Sequence, residues 1–454
     1  MDEQPTLLTG WGRTAPTSAT LVEVGADEVD VPALAGRAGD RGVIARGLGR
    51  SYGDPAQNGG GLVVRLRPPD RAIDLDADGG SVTVHAGVSL DVLLRQLVPA
   101  GWFVPVTPGT RFVTVGGAIA SDIHGKNHHV DGTFGRHVLS MRLALADGSV
   151  RRITPHGDPD LFWATVGGMG LTGIILEATF RLLPIESSLC LVETTRLPNL
   201  DALLDTMSTG DDDHRYSVAW LDLLATGPRL GRAVLTRGDH ASASDLRAAG
   251  HRTSADPLRF APPPSVDVPP GAPNVVPSPA VRLFNELWYR KAPRHHVGLE
   301  GLTSFFHPLD MVGSWNRAYG RNGFLQYQFL VPFERTDALR EVIGLVVASG
   351  RASIVNVLKR FGAEGDGMLS FPRPGWTFTV DLPAGAPGLD RLLADLDRIV
   401  LAAGGRHYLA KDATCTPETI VAGYPRLDEW RAVRRAVDPE GVWVSDQARR
   451  LGLR

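Results

Sequence analysis

Short runs of apolar residues, separated by loops rich in glycine and proline, recur along the whole chain. Residues 41–47 and 62–66 predict two strands joined by a glycine-rich loop. Residues 141–153 predict a hairpin that turns at an Asp-Gly pair, and residues 174–182 predict a further strand. These segments together predict five strands between residues 41 and 182.

Leucine-rich segments with helical spacing lie between and after these strands. Residues 89–97 place four leucines on one face of a helix that a serine caps, and residues 389–403 form a second amphipathic helix ending at two glycines. Residues 406–415 predict a strand-like run, and residues 424–439 a charged helix. Residues 261–280 contain so many prolines that regular structure is not expected; a surface loop and a lid over a cleft both fit.

Three later strands, residues 324–331, 353–359 and 376–382, carry polar side chains at alternate positions. Alternation places each polar set on one face of a sheet. Such a face usually meets solvent, where Lys, Glu and Arg are expected. Glutamine and threonine dominate here, so the wall of a polar cavity is an equally good interpretation.

The composition narrows the class of protein. A chain of 454 residues with 43% apolar and 21% charged residues predicts a globular protein of two domains. A net charge of −3 argues against nucleic-acid binding, and two cysteines build no disulfide framework. No apolar run reaches the length of a membrane span, and the N-terminus lacks the features of a signal peptide, so export by the usual route is not expected.

Two glycine-rich segments are the strongest candidates for a binding site. The first glycine loop, Ala45–Pro55, returns to a strand instead of opening a helix, so it is not the dinucleotide-binding motif of a nicotinamide enzyme. The second, Val104–His129, contains Gly109, Gly116 and Gly117, where backbone N–H groups could approach a ligand closely. Together they predict a large phosphate-bearing cofactor held by the main chain.

Three histidines in the second segment raise the question of a metal. His124, His128 and His129 have no cysteine or carboxylate neighbours at a spacing that completes a coordination sphere. We therefore predict no metal. A structural role is the default for each histidine, and a position beside the cofactor is the sharper hypothesis for His124. Neither a nucleophile elbow nor a Walker loop is present.

Three motifs resemble the FAD-binding domain of the vanillyl-alcohol oxidase type flavoproteins: ARGLGRSYGD, PGT followed by GGAIASDIHGKNHH, and GGMGLTGI. Other motifs, among them GWGRTAP, ELWYRK, GFLQYQF and AKD, resemble the actinobacterial members that oxidise a polyprenyl-phosphate-linked ribose. The resemblance implies an α+β fold with a split FAD-binding domain and an inserted substrate domain on an antiparallel sheet. The expected boundaries are 1–187 for the first FAD part, 188–405 for the substrate domain and 406–454 for the C-terminal return.

The resemblance also implies which residues hold the FAD. Relatives with covalently bound flavin often carry a histidine where this chain has Arg50, so noncovalent FAD is expected. The implied cofactor residues are Ala45, Arg46, Gly47, Leu48, Gly49, Arg50, Ser51, Tyr52, Gly53, Asp54, Pro55, Gly109, Thr114, Val115, Gly116, Gly117, Ser121, Asp122, Ile123, His124, Ile175 and Tyr408.

The implied reaction is oxidation of the ribose 2′-hydroxyl to a ketone, with hydride transfer to the flavin. Lys411, in AKD, is expected closest to the chemistry, with Tyr52 and His124 as further catalytic candidates. Lys411 can orient the hydroxyl, stabilise a developing alkoxide, or act as a base if its pKa is lowered. The implied substrate residues are Gln326, Gln328, Lys359, Lys126, Trp220, Thr377 and Thr379. Mycobacterial members carry a cysteine at the position of Thr379, so a thiol adduct cannot form here.

Partners and location follow only from the resemblance. It implies an NADH-dependent short-chain ketoreductase as functional partner, peripheral membrane association and a place in the cell envelope, on the periplasmic side. The cytoplasmic face stays open because the sequence shows no export signal. Two other functions stay open as well: oxidation of a soluble alditol or aldonolactone with oxygen as acceptor, and a lipid-sugar-binding protein with a vestigial flavin site.

Overall fold

The computed structural model describes residues 5–250, 256–272, 279–351 and 353–454. The strands are β1 Pro5–Leu8, β2 Thr17–Gly25, β3 Val43–Ala45, β4 Leu62–Arg67, β5 Ile73–Asp76, β6 Ser81–His85, β7 Trp102–Phe103, β8 Val138–Ala144, β9 Val150–Ile153, β10 Ile174–Arg181, β11 Leu183–Pro184, β12 Leu189–Leu197, β13 Tyr216–Leu221, β14 Ala233–His240, β15 Val266–Asp267, β16 His295–Gly301, β17 Val312–Gly313, β18 Phe324–Val331, β19 Asn356–Phe361, β20 Gly375–Pro383 and β21 Arg406–His407.

The helices lie between these strands and after them. They are α1 Val31–Ala38, α2 Leu90–Leu97, α3 Val115–Ala120, α4 His128–Asp131, α5 Pro159–Thr165, α6 Leu200–Gly210, α7 Ala243–Ala248, α8 Pro279–Lys291, α9 Leu302–Phe306, α10 Thr336–Ala348, α11 Leu389–Ala402, α12 Pro417–Gly423, α13 Leu427–Val437 and α14 Asp446–Leu451. None of the helices in the described ranges is long and apolar enough to cross a membrane.

Two sheets form the N-terminal part. A four-stranded sheet has the order β1-β2-β4-β3, and a five-stranded antiparallel sheet has the order β5-β6-β10-β8-β9. Strands β3 and β4 are parallel, so the chain between them must travel back along the sheet. Residues 46–61 form this connection, as an irregular loop. The predicted strand–loop–strand arrangement is confirmed.

The positions of α2, α11 and the β8–β9 hairpin agree with the predictions made from local sequence patterns. Ser89 Oγ accepts a hydrogen bond from Val92 N–H at 3.2 Å and so caps α2. At the other end of the chain, Gly404 adopts φ +67°, a left-handed conformation that ends α11 without the strain of a Cβ atom. These three elements match the sequence pattern because short-range rules decide them.

An eight-stranded sheet, in the order β16-β12-β14-β13-β19-β20-β18-β21, dominates the rest of the chain. On one face, Tyr327 and Phe329 pack in a core with the buried residues of α10 and α11. On the other face, Gln326, Gln328 and Thr377 are buried as well. The solvent-face interpretation of the alternating polar residues is therefore wrong; this polar face is an interior wall.

The chain after the sheet returns to the N-terminal part. The predicted strand-like run over 406–415 is too long: β21 ends at His407, where the chain turns so that Lys411 N–H and Asp412 N–H both bond to Tyr408 O. Val43 N–H then donates to Val442 O at 2.7 Å, which fixes the C-terminal segment against β3. Residues from both ends of the sequence thus share one core.

The described residues 261–272 of the proline-rich segment are largely irregular, as predicted. It contains β15, which pairs in parallel with β17, and α8 begins at its end. The choice between a surface loop and a lid concerns residues that include 273–278, which lie outside the described ranges.

Candidate active site

The first glycine loop, Ala45–Pro55, presents a row of free backbone donors. Within the described part of the chain, none of the N–H groups of residues 47–51 donates to a protein acceptor. Gly49 adopts φ +65°, which only glycine takes without strain. Adjacent free amides in such a turn form a concave anion-binding surface.

Two charged side chains hold the ends of this loop. The Arg46 guanidinium donates to Ala56 O at 2.9 Å and to Thr9 O at 2.7 Å. Asp54 accepts from Arg450 Nη2 at 2.6 Å, and Arg450 also donates to Asp412 Oδ2 at 2.9 Å. The loop is therefore clamped between β1 and the C-terminal segment.

Arg50, the residue at the position of a flavin-linking histidine in some relatives, is held by aromatic rings. Its guanidinium lies 3.9 Å from the centroid of the Trp11 ring and 5.4 Å from that of Phe112. A guanidinium in this position is a hydrogen-bond donor and a cation, not a nucleophile that can form a covalent flavin link.

The second glycine segment lies directly against the first loop. A side chain on Gly47 would overlap the Thr114 hydroxyl, so the two segments meet at this point. The amides of Gly116 and Gly117 already donate, to Ala86 O at 2.9 Å and to Thr114 Oγ1 at 3.1 Å. These two amides are therefore not free donors, and the place of Gly116 and Gly117 beside a cofactor stays a prediction.

Asp122 holds the turn that leads to His124. Its carboxylate accepts from Gly135 N–H at 3.0 Å and from Ser370 Oγ at 2.6 Å, and burial raises its pKa to about 6. Its backbone has φ +38°, which is uncommon for a residue with a side chain. Asp122 thus ties the second segment to the segment that carries Ser370, and its role beside a cofactor stays a prediction.

Lys411 and Tyr52 meet at the centre of the site. The Lys411 Nζ atom lies 3.8 Å from the centroid of the Tyr52 ring. Tyr52 N–H donates to Ala410 O at 3.0 Å, so the first loop itself fixes the turn that carries the lysine. Burial lowers the pKa of Lys411 to about 7, and the nearby Asp381 carboxylate opposes part of that shift.

Asp381 lies on the polar face of β20 and belongs to the same network. Its carboxylate accepts from Gln326 Nε2 at 2.6 Å and from Tyr319 Oη at 3.1 Å. Burial raises the pKa of Asp381 to about 7, against the effect of these donors and of Lys411. Near neutral pH, Lys411 and Asp381 can therefore both exchange a proton with little free-energy cost.

His124 is flanked by an amine and an amide. Its Nδ1 lies 3.0 Å from Lys359 Nζ, and its Nε2 lies 3.0 Å from the side-chain nitrogen of Gln328. Burial, followed by the charge of Lys359, lowers the pKa of His124 well below its usual value, so the imidazole is neutral. Burial and Lys411 lower the pKa of Lys359 itself to about 7. Within the described ranges, no group of three or more His, Cys, Asp or Glu side chains is placed to hold a metal ion.

An aromatic wall surrounds the His124 ring. Ring centroids of Phe361, Tyr408 and Phe371 lie 4.8, 5.2 and 5.9 Å from it. Sequence reasoning missed Phe361, Phe371 and Asp381 as site residues. The alternation in β19 and β20 was a usable signal for Phe361, which lies two positions from Lys359, and for Asp381, two positions from Thr379.

The remaining predicted residues lie around this centre in different ways. Thr377 is buried and accepts a hydrogen bond from Gln328 Nε2 at 3.2 Å. Thr379 lies two residues further along β20, on the same face of the sheet. Lys126 instead donates to Phe305 O, and its Nζ packs 4.1 Å from the Phe305 ring centroid. Trp220 donates to Ile354 O at 3.0 Å.

The cofactor candidates outside the loops also differ. Tyr408 Oη donates to Ser121 O at 2.8 Å, whereas Val115, Ile123 and Ile175 are core residues. A side chain on Gly109 would meet nothing within 4 Å, so this glycine borders open space. Leu48 lines a cleft of about 300 Å³ together with residues that include Pro68, Val88 and Gln96.

The residues present fit FAD. A pyrophosphate would supply acceptors for the adjacent free amides of residues 47–51, which are partly exposed and so accessible to a ligand. Arg450 binds both Asp54 and Asp412, and so fixes the first glycine loop against the C-terminal segment. The site therefore combines a main-chain anion cradle with a buried amine and a neutral imidazole.

Two protein families match parts of the chain. Residues 23–154 match the family described as FAD binding domain, and residues 376–451 match D-arabinono-1,4-lactone oxidase. With the antiparallel sheet between the two ends, these matches define a two-domain FAD-dependent flavoprotein of the vanillyl-alcohol oxidase type.

Similarity to whole proteins is more specific. The chain is 50% identical over 451 residues, 98% of this chain and 97% of the relative, to decaprenylphosphoryl-β-D-ribose oxidase of Mycolicibacterium smegmatis. It is 43% identical to an uncharacterized protein encoded in the mprA 5′ region of Streptomyces coelicolor, over 81% of this chain and all of that relative. An L-gulono-1,4-lactone dehydrogenase of Mycobacterium tuberculosis is 25% identical over 96% of each chain. The chain belongs to the decaprenylphosphoryl-β-D-ribose oxidase family.

Proposed function

We propose that this protein oxidises the ribose 2′-hydroxyl of decaprenylphosphoryl-β-D-ribose to the 2′-ketone, the first step of an epimerisation that supplies arabinose for cell-wall arabinan. The near full-length similarity to the mycobacterial oxidase supports the substrate. The observation that carries the chemistry is the buried Lys411 amine beside Tyr52, because oxidation of an alcohol needs an acceptor for the hydroxyl proton.

Bound FAD would supply the acceptor for the hydride that leaves the ribose C2′ atom. The chain has to bind the sugar, exclude water and remove the hydroxyl proton. We assign the proton to Lys411, since an amine with a pKa of about 7 is largely neutral at slightly alkaline pH and can act as a base. Gln326, Gln328 and Tyr52 are the proposed hydroxyl contacts on the buried polar wall.

The phosphate of the substrate is assigned to Lys359. A phosphate beside this amine would restore its charge, because a nearby anion raises the pKa of a lysine. Lys126 is the weaker candidate, since its amine already donates to a backbone carbonyl. His124 would then sit between the phosphate-binding lysine and the sugar-binding Gln328.

The rate of flavin reduction should depend on pH in a direction that tests this role. Below about pH 7, Lys411 is protonated and cannot accept a proton, so the rate should rise roughly tenfold per pH unit and level off above pH 7. Anaerobic single-turnover reduction across this range measures the profile. Asp381→Asn should move the midpoint to lower pH, because the carboxylate raises the pKa of Lys411. A rate that instead falls above pH 7 would show that the charged lysine is needed.

FAD should be bound noncovalently. Arg50 offers no nucleophile at the position of the flavin-linking histidine, and its guanidinium is already packed on Trp11. Precipitation of the purified yellow protein with acid should therefore release the chromophore into the supernatant, where absorbance quantifies it. A flavin that remains in the washed pellet would contradict this assignment.

We further propose the domain boundaries 1–187, 188–405 and 406–454. Strand β12 opens the large sheet at Leu189, and α12 to α14 pack with the N-terminal part after β21.

A lipid-linked substrate also makes peripheral membrane association in the cell envelope the expected location. A short-chain ketoreductase is the proposed partner, because a 2′-ketone must be reduced to complete the epimerisation.

Anaerobic mixing with prenylphosphoryl ribose tests the function directly. Loss of the oxidised flavin absorbance with this substrate, and not with soluble sugars, is the expected result. The partial match to D-arabinono-1,4-lactone oxidase makes aldonolactones the necessary comparison. Reduction by a soluble aldonolactone or alditol alone would replace the proposed substrate, and reduction by neither class would favour a binding protein.

A further inference from the structure

Helix α8, Pro279–Lys291, exposes four large apolar side chains on neighbouring positions of one surface. Leu283, Phe284, Leu287 and Trp288 are 60%, 44%, 58% and 45% exposed. The rings of Phe284 and Trp288 stack at 6.0 Å between centroids. Single exposed apolar residues are ordinary, but a group of this kind on one helix marks an interaction surface. The helix includes the ELWYRK motif, which the active site does not account for.

The opposite side of α8 is firmly attached to the rest of the protein. Asn285 Nδ2 donates to Asp222 Oδ1 at 3.0 Å, and Tyr289 Oη donates to Leu197 O at 3.2 Å. Arg232 joins Asp222 to Glu286, the one acidic residue of the helix. The exposed apolar residues therefore belong to an anchored amphipathic helix.

The charge around the apolar face is positive. Arg282, Arg290, Lys291 and Arg294 are all exposed, although the whole chain has a net charge of −3. Glu286 is already paired with Arg232 and Arg290. Leucine, phenylalanine and tryptophan flanked by arginine and lysine are typical of helices that lie in the interface of an anionic bilayer.

The helix also lies beside the reacting centre. Val281, on its buried side, packs in one cluster with Tyr52, Tyr319 and Phe324. Tyr52 is the residue whose ring contacts Lys411. A surface that holds α8 therefore brings the site close to that surface, which a substrate with a long hydrocarbon tail requires.

We propose that the exposed face of α8 docks this protein on an anionic lipid bilayer. Leu283, Phe284, Leu287 and Trp288 enter the interfacial region. The lipid phosphates pair with Arg282, Lys291 and Arg294. The proposal rests on the lipid-linked substrate of the proposed function and adds the surface by which the enzyme reaches it. A bilayer fits better than a protein partner because exposed basic residues near both ends of the helix complement the phosphate headgroups of anionic lipids.

Vesicle flotation of the FAD-loaded protein tests the proposal. Wild type should float with vesicles of equal parts phosphatidylcholine and phosphatidylglycerol, and Leu287→Gln with Trp288→Gln should reduce the bound fraction by about tenfold. Val421→Gln is the matched control, because Val421 is a 57% exposed helical residue elsewhere on the protein. Vesicle binding that the double variant retains, or absence of binding by wild type, would overturn the proposal.

Two further measurements separate the possible results. Light scattering without lipid tests whether the face binds a second copy of the chain. A dimeric wild type and a monomeric double variant, with no vesicle binding by either, would assign the face to self-association and overturn the proposal. With a short-prenyl substrate in solution, the double variant should reduce its flavin at the wild-type rate. If wild type is not reduced by any prenylphosphoryl ribose, the proposed function fails while flotation still decides the docking surface.

Discussion

Replacing Lys411 with alanine should leave FAD bound and slow flavin reduction by the ribose substrate by about 10²- to 10⁴-fold. The lysine amine is buried over the Tyr52 ring, and its pKa of about 7 suits it to take the hydroxyl proton. The free amides of residues 47–51 do not depend on its side chain, so the flavin content should stay near that of wild type. Anaerobic stopped-flow at saturating substrate gives the rate, and absorbance gives the content.

Lys359→Ala is the matched control for this variant. Lys359 is also a buried lysine with a pKa of about 7, but it faces His124 on the proposed phosphate side. Its loss should raise the substrate concentration needed for half-maximal rate more than it lowers the limiting rate. Added methylamine should partly restore reduction in Lys411→Ala. Wild-type reduction rates in Lys411→Ala would refute the assigned role.

Replacing Gly53 with alanine should abolish FAD binding. A Cβ atom at this position would overlap the carbonyl oxygen of Asp412 and lie 3.1 Å from the Cα atom of Ala413. Both contacts are backbone, so relief requires the first loop to separate from the turn that carries Lys411. We expect a loss of about 1–3 kcal/mol in the free energy of unfolding, as for other overpacked sites. The ratio of flavin to protein absorbance and the thermal midpoint measure the two effects.

Gly344→Ala provides the control for Gly53→Ala. Gly344 lies inside α10, where an added Cβ atom would meet nothing within 4 Å. Alanine there should leave FAD bound and stabilise the helix by about 0.5–1 kcal/mol. A Gly53→Ala protein with full flavin content and an unchanged midpoint would show that the loop and the C-terminal turn can part without harm.

Sequence reasoning succeeded where neighbouring residues decide the structure. The return of the first loop to β4, the cap of α2 and the end of α11 all follow from local patterns. The alternation in β18 and β20 identified the polar face, but its burial depends on the N-terminal part that covers it. The choice between solvent and cavity was therefore open until the fold placed His124 beside Gln328.

The sequence does not show which contacts form between distant residues. A glycine that admits a ligand and a glycine that admits the chain itself look alike in sequence, and only the structure shows that a Cβ atom on Gly116 would lie 3.1 Å from that of Ala86. Asp122 has its carboxylate bound by Ser370, 248 positions away. Only the resemblance to known flavoproteins named both Lys411 and Tyr52 as catalytic candidates, and the structure then brought them into contact.

The clamp from Arg450 to Asp54 joins residues 396 positions apart. A ribosome therefore completes the first loop long before it makes the residues that hold the loop in shape. Contacts of such long range form late, since closing a long loop is entropically unfavourable. The flavin should accordingly be captured only after synthesis of the C-terminal segment, and quenching of FAD fluorescence would report the last stage of folding rather than the first.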